Sequence, residues 1–234
     1  MIKFNHSFFQ HLPVLAVTTE FTRSLYSSFH ERRLTFDKIS KILVPMQHIT
    51  YIPIMMLARL NLYAQSFIYL AKHNTYMRNL EIIGLLFFWT WFLWLLSTIP
   101  LPQNRIAFFL SALLSSFVLH LQINLSHFAM CTEPSDQNEE FVRHQLRTTL
   151  DVQCPAWLDW FHGGLQFQTA HHLFPRVPRH NLRKLTAKVN EFCKIHDLKF
   201  NCMTFTQGNR HTIGHLRQIG NQINALFEVA KETY

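Results

Sequence analysis

The sequence predicts an all-α integral membrane protein, a transmembrane helical hairpin accompanied by interfacial and cytosolic helices. Three observations carry that expectation. Only 15% of the 234 residues are charged and 48% are hydrophobic, whereas soluble domains carry about 25% charged residues. Two long uncharged stretches follow one another near the middle of the chain. The basic residues stand almost entirely outside them. Mean hydropathy is only +0.02 because the apolar residues are so unevenly spread.

Residues 1–79 read as a cytosolic and interfacial segment. Leu43 to Ala71 is apolar but interrupted by Pro45, Gln47, His48, Pro53 and Arg59. It is expected to form one or two helices lying in the membrane surface, with a third span as the alternative. Residues 80–130 hold the hairpin. Ile82 to Pro100 gives nineteen residues without a charge, enough to cross a bilayer core as a helix. After a turn from Leu101 to Arg105, a second uncharged stretch runs from Ile106 towards Met130, with a span expected over about 106–127. Of the 22 Lys and Arg, 9 precede Leu80, 12 follow Met130 and Arg105 alone lies in the turn. The positive-inside rule then places both flanks, and both termini, in the cytosol. A buried hairpin in a soluble protein is disfavoured, since a chain this short cannot surround so much apolar surface.

Residues 131–234 return to an amphipathic pattern. Phe141, Val142, Leu146 and Leu150 mark one helix, with Glu139 and Glu140 at its positive end. Leu182, Leu185, Val189 and Phe192 mark another, and Leu216, Ile219, Ile223 and Phe227 a last one. No strand-rich region, repeat or low-complexity tract stands out.

Composition narrows the function. Six glycines, and no Gly-x-Gly-x-x-Gly or Gly-x-x-x-x-Gly-Lys pattern, argue against a nucleotide-binding α/β enzyme. Cys131, Cys154, Cys193 and Cys202 form no Cys-x-x-Cys pair, which disfavours a zinc ribbon or disulfide scaffold. The net charge of +8 is spread along the chain, so a membrane accounts for it better than nucleic acid does. The first six residues lack a signal-peptide core. Fifteen histidines exceed the glycines more than twofold, which directs attention to metal chemistry.

The informative stretch runs from Trp160 to Arg176. If it is helical through His172, Gln168, His171 and His172 occupy i, i+3 and i+4 and share one face. Three such donors can hold a transition metal, though imidazole suits iron, copper, nickel and zinc alike. A histidine pair on its own is as compatible with surface or core polarity.

Gln168-Thr169-Ala170-His171-His172, followed by Leu173-Phe174-Pro175-Arg176 and Pro178-Arg179-His180-Asn181-Leu182, closely resembles the third histidine box of the membrane front-end desaturases. That family's box reads Gln-x-x-His-His, as here. Asn124-Leu125-Ser126-His127-Phe128-Ala129-Met130 resembles the end of its fourth membrane helix. Gln10-His11-Leu12-Pro13 resembles the stretch just after its second box. Arg59 to Tyr63 and Trp157 to Gly164 extend the match along essentially the whole chain, most nearly as in fungal sphingolipid Δ8-desaturases.

The resemblance implies a partial membrane-desaturase fold in the endoplasmic reticulum membrane. It implies two non-haem irons held at the cytosolic face, a sphingolipid long-chain base or fatty acyl chain as substrate, and cytochrome b5 as electron donor. Carried over by position, His171 and His172 are iron ligands, His127 an additional one, and Gln168 fills the first position of the box. The predicted topology puts His127 at the cytosolic end of the second span, on the side of the Gln168–His172 box. Ionisable groups near membrane depth are costly and commonly functional. A membrane hydroxylase with the same cage fits the Gln form of the box less well.

Other histidines carry plainer readings. His120 shares a face with Asn124 and His127 but lies about two turns deeper. His6 with His11, and His211 with His215, have spacings common by chance. His162 and His180 flank the box and could orient its ligands. The first and second histidine boxes of the family, its first hairpin and its haem-binding His-Pro-Gly-Gly have no counterpart here. The chain is therefore expected to be the C-terminal portion of a desaturase, from a split or truncated gene or a pseudogene. It is expected to be inactive alone, and completed, where active, by a separate N-terminal fragment. The alternative is a non-catalytic membrane scaffold or partner subunit.

Overall fold

A computed structural model describes residues 15–19, 25–27, 32–34, 36–130 and 139–232. His6, Gln10 to Pro13 and Cys131 lie outside the described residues. The chain divides into two compact units, one of residues 1–51 with 121–234 and one of residues 52–120.

In the unit of residues 52–120, helix α2 (Gln47–Lys72) continues through Pro53 as one helix. It is followed by α3 (Arg78–Thr98) and α4 (Pro102–Leu114). Pro102 stands in the first turn of α4, where its missing N–H costs nothing. Phe92 of α3 meets Phe108 and Phe109 of α4, each at 6.3 Å between ring centres. No residue of α3 is buried; Phe87 is 74% and Trp94 61% exposed.

Two stretches are long and apolar enough to cross a membrane, Arg78–Thr98 and Pro102–Phe128. The second, expected as a single helix, is broken at residues 115–116, beyond which α5 (Phe117–Phe128) continues. The hydroxyls of Ser115 and Ser116 donate back to the carbonyls of Ala112 (2.8 Å) and Leu113 (3.1 Å), a contact that bends helices. Arg59 of α2 also donates to the Ala112 carbonyl and to Tyr63 Oη, the latter at 2.8 Å.

The other unit carries the short helix α1 (Lys38–Leu43), α6 (Phe141–Thr148), α7 (Asp159–His162), α8 (Gln168–Leu173), α9 (Leu182–Ile195) and α10 (Phe205–Glu232). Two strand pairs accompany them, an addition to the all-α expectation. β1 (Leu25–Ser27) is antiparallel to β2 (Arg32–Leu34), and β3 (Asp151–Gln153) is parallel to β4 (Cys202–Thr204). Strands of three residues are too short to show a period in sequence.

Leu125 and Ala129 pack with Leu150 and Val152 into one core cluster. Leu146 of α6 packs against Val189 and Cys193 of α9 in a second. Phe192, expected on the apolar stripe of α9, is exposed, and Cys193 takes the inner position. α10 buries Leu216, Ile219 and Ile223 as expected but begins at Phe205, because residues 205–215 are too polar to show helical periodicity.

Gly220 allows the closest approach of α10 to its neighbours. A Cβ there would sit 2.9 Å from the Pro45 carbonyl oxygen and 3.2 Å from the Pro45 Cα. Backbone on both sides leaves little room to yield, so Gly220→Ala should destabilise this unit by about 1–3 kcal/mol. Thermal unfolding in detergent checks this; an unchanged midpoint would mean the two segments separate freely.

Candidate metal centre

α8 presents the predicted box as one helical turn and a half, with Gln168, His171 and His172 in a single helix. Gln168 is buried, His172 half-buried and His171 exposed. His127, at the end of α5, brings its ring to 5.2 Å from that of His172, centre to centre. The rings of His171 and His172 lie 6.1 Å apart. Residues 40 or more positions apart in sequence are thus set side by side.

Three supports fix α8. The Thr169 N–H donates to Asp151 Oδ1 at 2.8 Å, so a β3 carboxylate satisfies one of the free N–H groups at the start of the helix. The hydroxyls of Thr149 and Thr169 meet at 3.0 Å. Ahead of the helix, Gly163 and Gly164 turn with φ of 58° and 91°, a region that side chains rarely adopt. That turn is stapled by Arg183 of α9, which donates to both carboxylate oxygens of Asp159 (Nε to Oδ2, 2.6 Å). Gln166 also donates to Asp159 Oδ1, at 2.9 Å.

The end of α6 meets both paired histidines. His172 Nδ1 lies 2.9 Å from Gln145 Oε1, and the His127 ring bonds the backbone carbonyl of Thr148. α6 is itself braced along its length, where Arg147 of its last turn grips the carboxylate of Glu139, just before its start, through two bonds of 2.8 Å. His144 adds a third bond at 3.0 Å. Arg147 first, then His144, hold the Glu139 carboxyl down to about 2.

Burial, then the neighbouring His171, pushes the His172 imidazole below its ordinary range. Burial likewise pushes the Asp151 carboxyl up to about 6, outweighing the Thr169 bonds.

The donor chemistry fits a transition metal, because both paired rings are imidazoles, each oriented through one ring nitrogen by a bond to the protein. Among the described residues, no group of three or more His, Cys, Asp or Glu side chains assembles to hold an ion. His127 and His172 pair without a third such side chain beside them among the described residues.

The remaining histidines fall elsewhere. His215 lies 3.0 Å from the Val17 carbonyl, through Nε2, and His211 and His180 are exposed. His120 is buried in the unit of residues 52–120. His162 is buried with its Nδ1 2.8 Å from Gln122 Nε2.

Sequence reasoning missed Gln145, Thr148 and Asp151. For Gln145 a signal existed: it lies on the face of α6 shared by Val142, Leu146 and Thr149, where an apolar residue belongs.

A chain with two stretches apolar enough to cross a membrane and a Gln-x-x-His-His helix whose last histidine pairs with His127 points to one class of protein, and sequence comparison places the chain within it. The Fatty acid desaturase family model matches residues 14–204, and the chain belongs to that family. It is 42% identical over 231 residues to the Delta 8-(E)-sphingolipid desaturase of Kluyveromyces lactis, an alignment covering 95% of this chain and 40% of that protein. It is 43% identical over 217 residues to the Acyl-lipid (9-3)-desaturase of Borago officinalis, covering 91% of this chain and 48% of the relative. The Delta(8)-fatty-acid desaturase 1 of Arabidopsis thaliana is 42% identical over 216 residues, again covering 91% and 48%. The chain thus spans less than half the length of these curated relatives. No solved structure matches it.

Proposed function

We propose that the chain forms the part of a sphingolipid Δ8-desaturase that carries the third histidine box, introducing a cis or trans double bond into a long-chain base, or else into a fatty acyl chain. The observation that carries this is the pairing of His127 with His172, each with one ring nitrogen engaged by α6. His127, His171 and His172 would hold non-haem iron, with Gln168 at the first position of the box. Iron, when bound, would supply the oxygen activation needed to remove two hydrogens from neighbouring methylenes. Overall, one O2, two electrons and two protons yield the alkene and two waters. Cytochrome b5 delivers the electrons.

The chain's own residues orient the imidazoles and hold α8 against β3. With a donor set of this size, the reading requires the first and second boxes from a separate N-terminal fragment or a longer polypeptide, and without them the chain is inactive. The exposed aromatic surface of α3 supports a bilayer setting, since such a patch is untenable in water. The placement of the basic residues supports cytosolic termini in the endoplasmic reticulum membrane.

The test is expression in yeast lacking the activity, with ceramide long-chain bases profiled by mass spectrometry. A Δ8-unsaturated base should appear when the two further boxes are supplied, in trans or by fusion, and not without them. A non-catalytic scaffold would give no product in any combination.

A further inference from the structure

We propose that Gln145 is a positioning residue of the metal centre, fixing the tautomer of His172 so that Nε2 faces the metal. The proposal rests on the reading of His172 as a ligand. Gln145 is 3% exposed, and its Oε1 lies 2.9 Å from His172 Nδ1. An amide oxygen can only accept, so the proton of the neutral ring must sit on Nδ1. The lone pair is then on Nε2, where a metal can take it. Metal-bound histidines characteristically donate their second N–H in this way, and the donor bond sets both ring orientation and basicity.

The surroundings anchor the backbone at Gln145. Its own backbone carbonyl accepts from Thr149 Oγ1 at 2.6 Å, and the same hydroxyl meets Thr169 on α8. The Glu139–Arg147–His144 cluster ties the segment before helix α6 to its last turn. One turn on, the Thr148 carbonyl, left free because the helix ends there, takes the His127 ring. A single helix end therefore sets both paired imidazoles. The opposite arrangement occurs at His162, where the Gln122 amide nitrogen faces Nδ1 at 2.8 Å and leaves the ring proton on Nε2.

The chain can be tested free of metal. With isotope-labelled histidine in detergent micelles at pH of about 8, imidazole is neutral and its ring nitrogens report the tautomer by NMR. The His172 signal is identified by its loss in His172→Gln. Wild type should show the proton on Nδ1, and Gln145→Leu should revert to the Nε2-protonated form that free histidine prefers. In a desaturase completed with the two further boxes, Gln145→Leu should retain iron against a chelator about 10–100-fold less well. Gln145→Glu, which keeps an acceptor, should restore it.

A wild-type tautomer in Gln145→Leu would overturn the proposal. So would equal iron loss in the Leu and Glu variants that follows a common fall in unfolding temperature, since that marks packing alone. A His172→Ala enzyme that keeps its iron, with the tautomer lock intact, would overturn the ligand reading and the proposal with it.

Discussion

Replacing His172 by alanine in a desaturase completed with the first and second boxes should abolish formation of the unsaturated product. His172 is the ring that His127 approaches to 5.2 Å and that Gln145 holds from behind. Loss of a ligand acts on turnover rather than on substrate binding, so kcat should fall below detection while lipid binding persists. His127→Ala should have the same effect, since its ring is the other half of the pair. The two substitutions should not be additive, because either one dismantles the same site. His211→Ala, outside the site and on an exposed face of α10, should leave turnover intact. Iron content measured alongside decides the cause. Retained turnover with unchanged iron in His172→Ala would sink the assignment.

The box was readable because its geometry is local. Three donors within five residues of a helix share a face whatever the rest of the chain does. The two stretches apolar enough to cross a membrane were readable for a similar reason, as length and lack of charge are properties of contiguous sequence. What escaped depends on partners far along the chain. At the break at residues 115–116, Arg59 reaches the Ala112 carbonyl from more than fifty positions away, beside the two serines. β3 pairs with a strand some fifty residues away, and three residues hold too little alternation to announce it. Gln145 precedes His172 by 27 positions, so only its place on an apolar helix face betrayed it. Asp151 left no such trace, since an acidic residue after a helix reads as surface until its burial is known.

Asp151 also carries the second large effect, a stability that falls as pH rises. Its carboxyl is 2% exposed, one oxygen accepts from Thr169 N, and the other lacks a hydrogen-bond partner. Desolvation outweighs the helix N–H, raising the carboxyl from 3.8 to about 6. Between those values the folded protein binds more protons than the unfolded chain, so stability decreases with increasing pH. The contribution is fully present below the unfolded value of 3.8 and is lost as pH rises through about 6. The loss totals about 3 kcal/mol. Glu139 works in the opposite sense and in another window: its depressed carboxyl stabilises above 4.5 and loses that contribution as pH falls towards about 2.

Asp151→Asn keeps an oxygen for Thr169 and removes the titration, so its unfolding midpoint should be nearly flat between pH of about 4.5 and 7 while the wild type declines. Asp151→Ala should also lose the slope but lie lower at every pH, by about 1–3 kcal/mol, because the Thr169 N–H is left buried and unpaired. Parallel wild-type and Asp151→Asn curves in metal-free protein would show that the carboxylate ionises without cost and that water reaches it. The support of α8 would then be a solvated cap rather than a buried one.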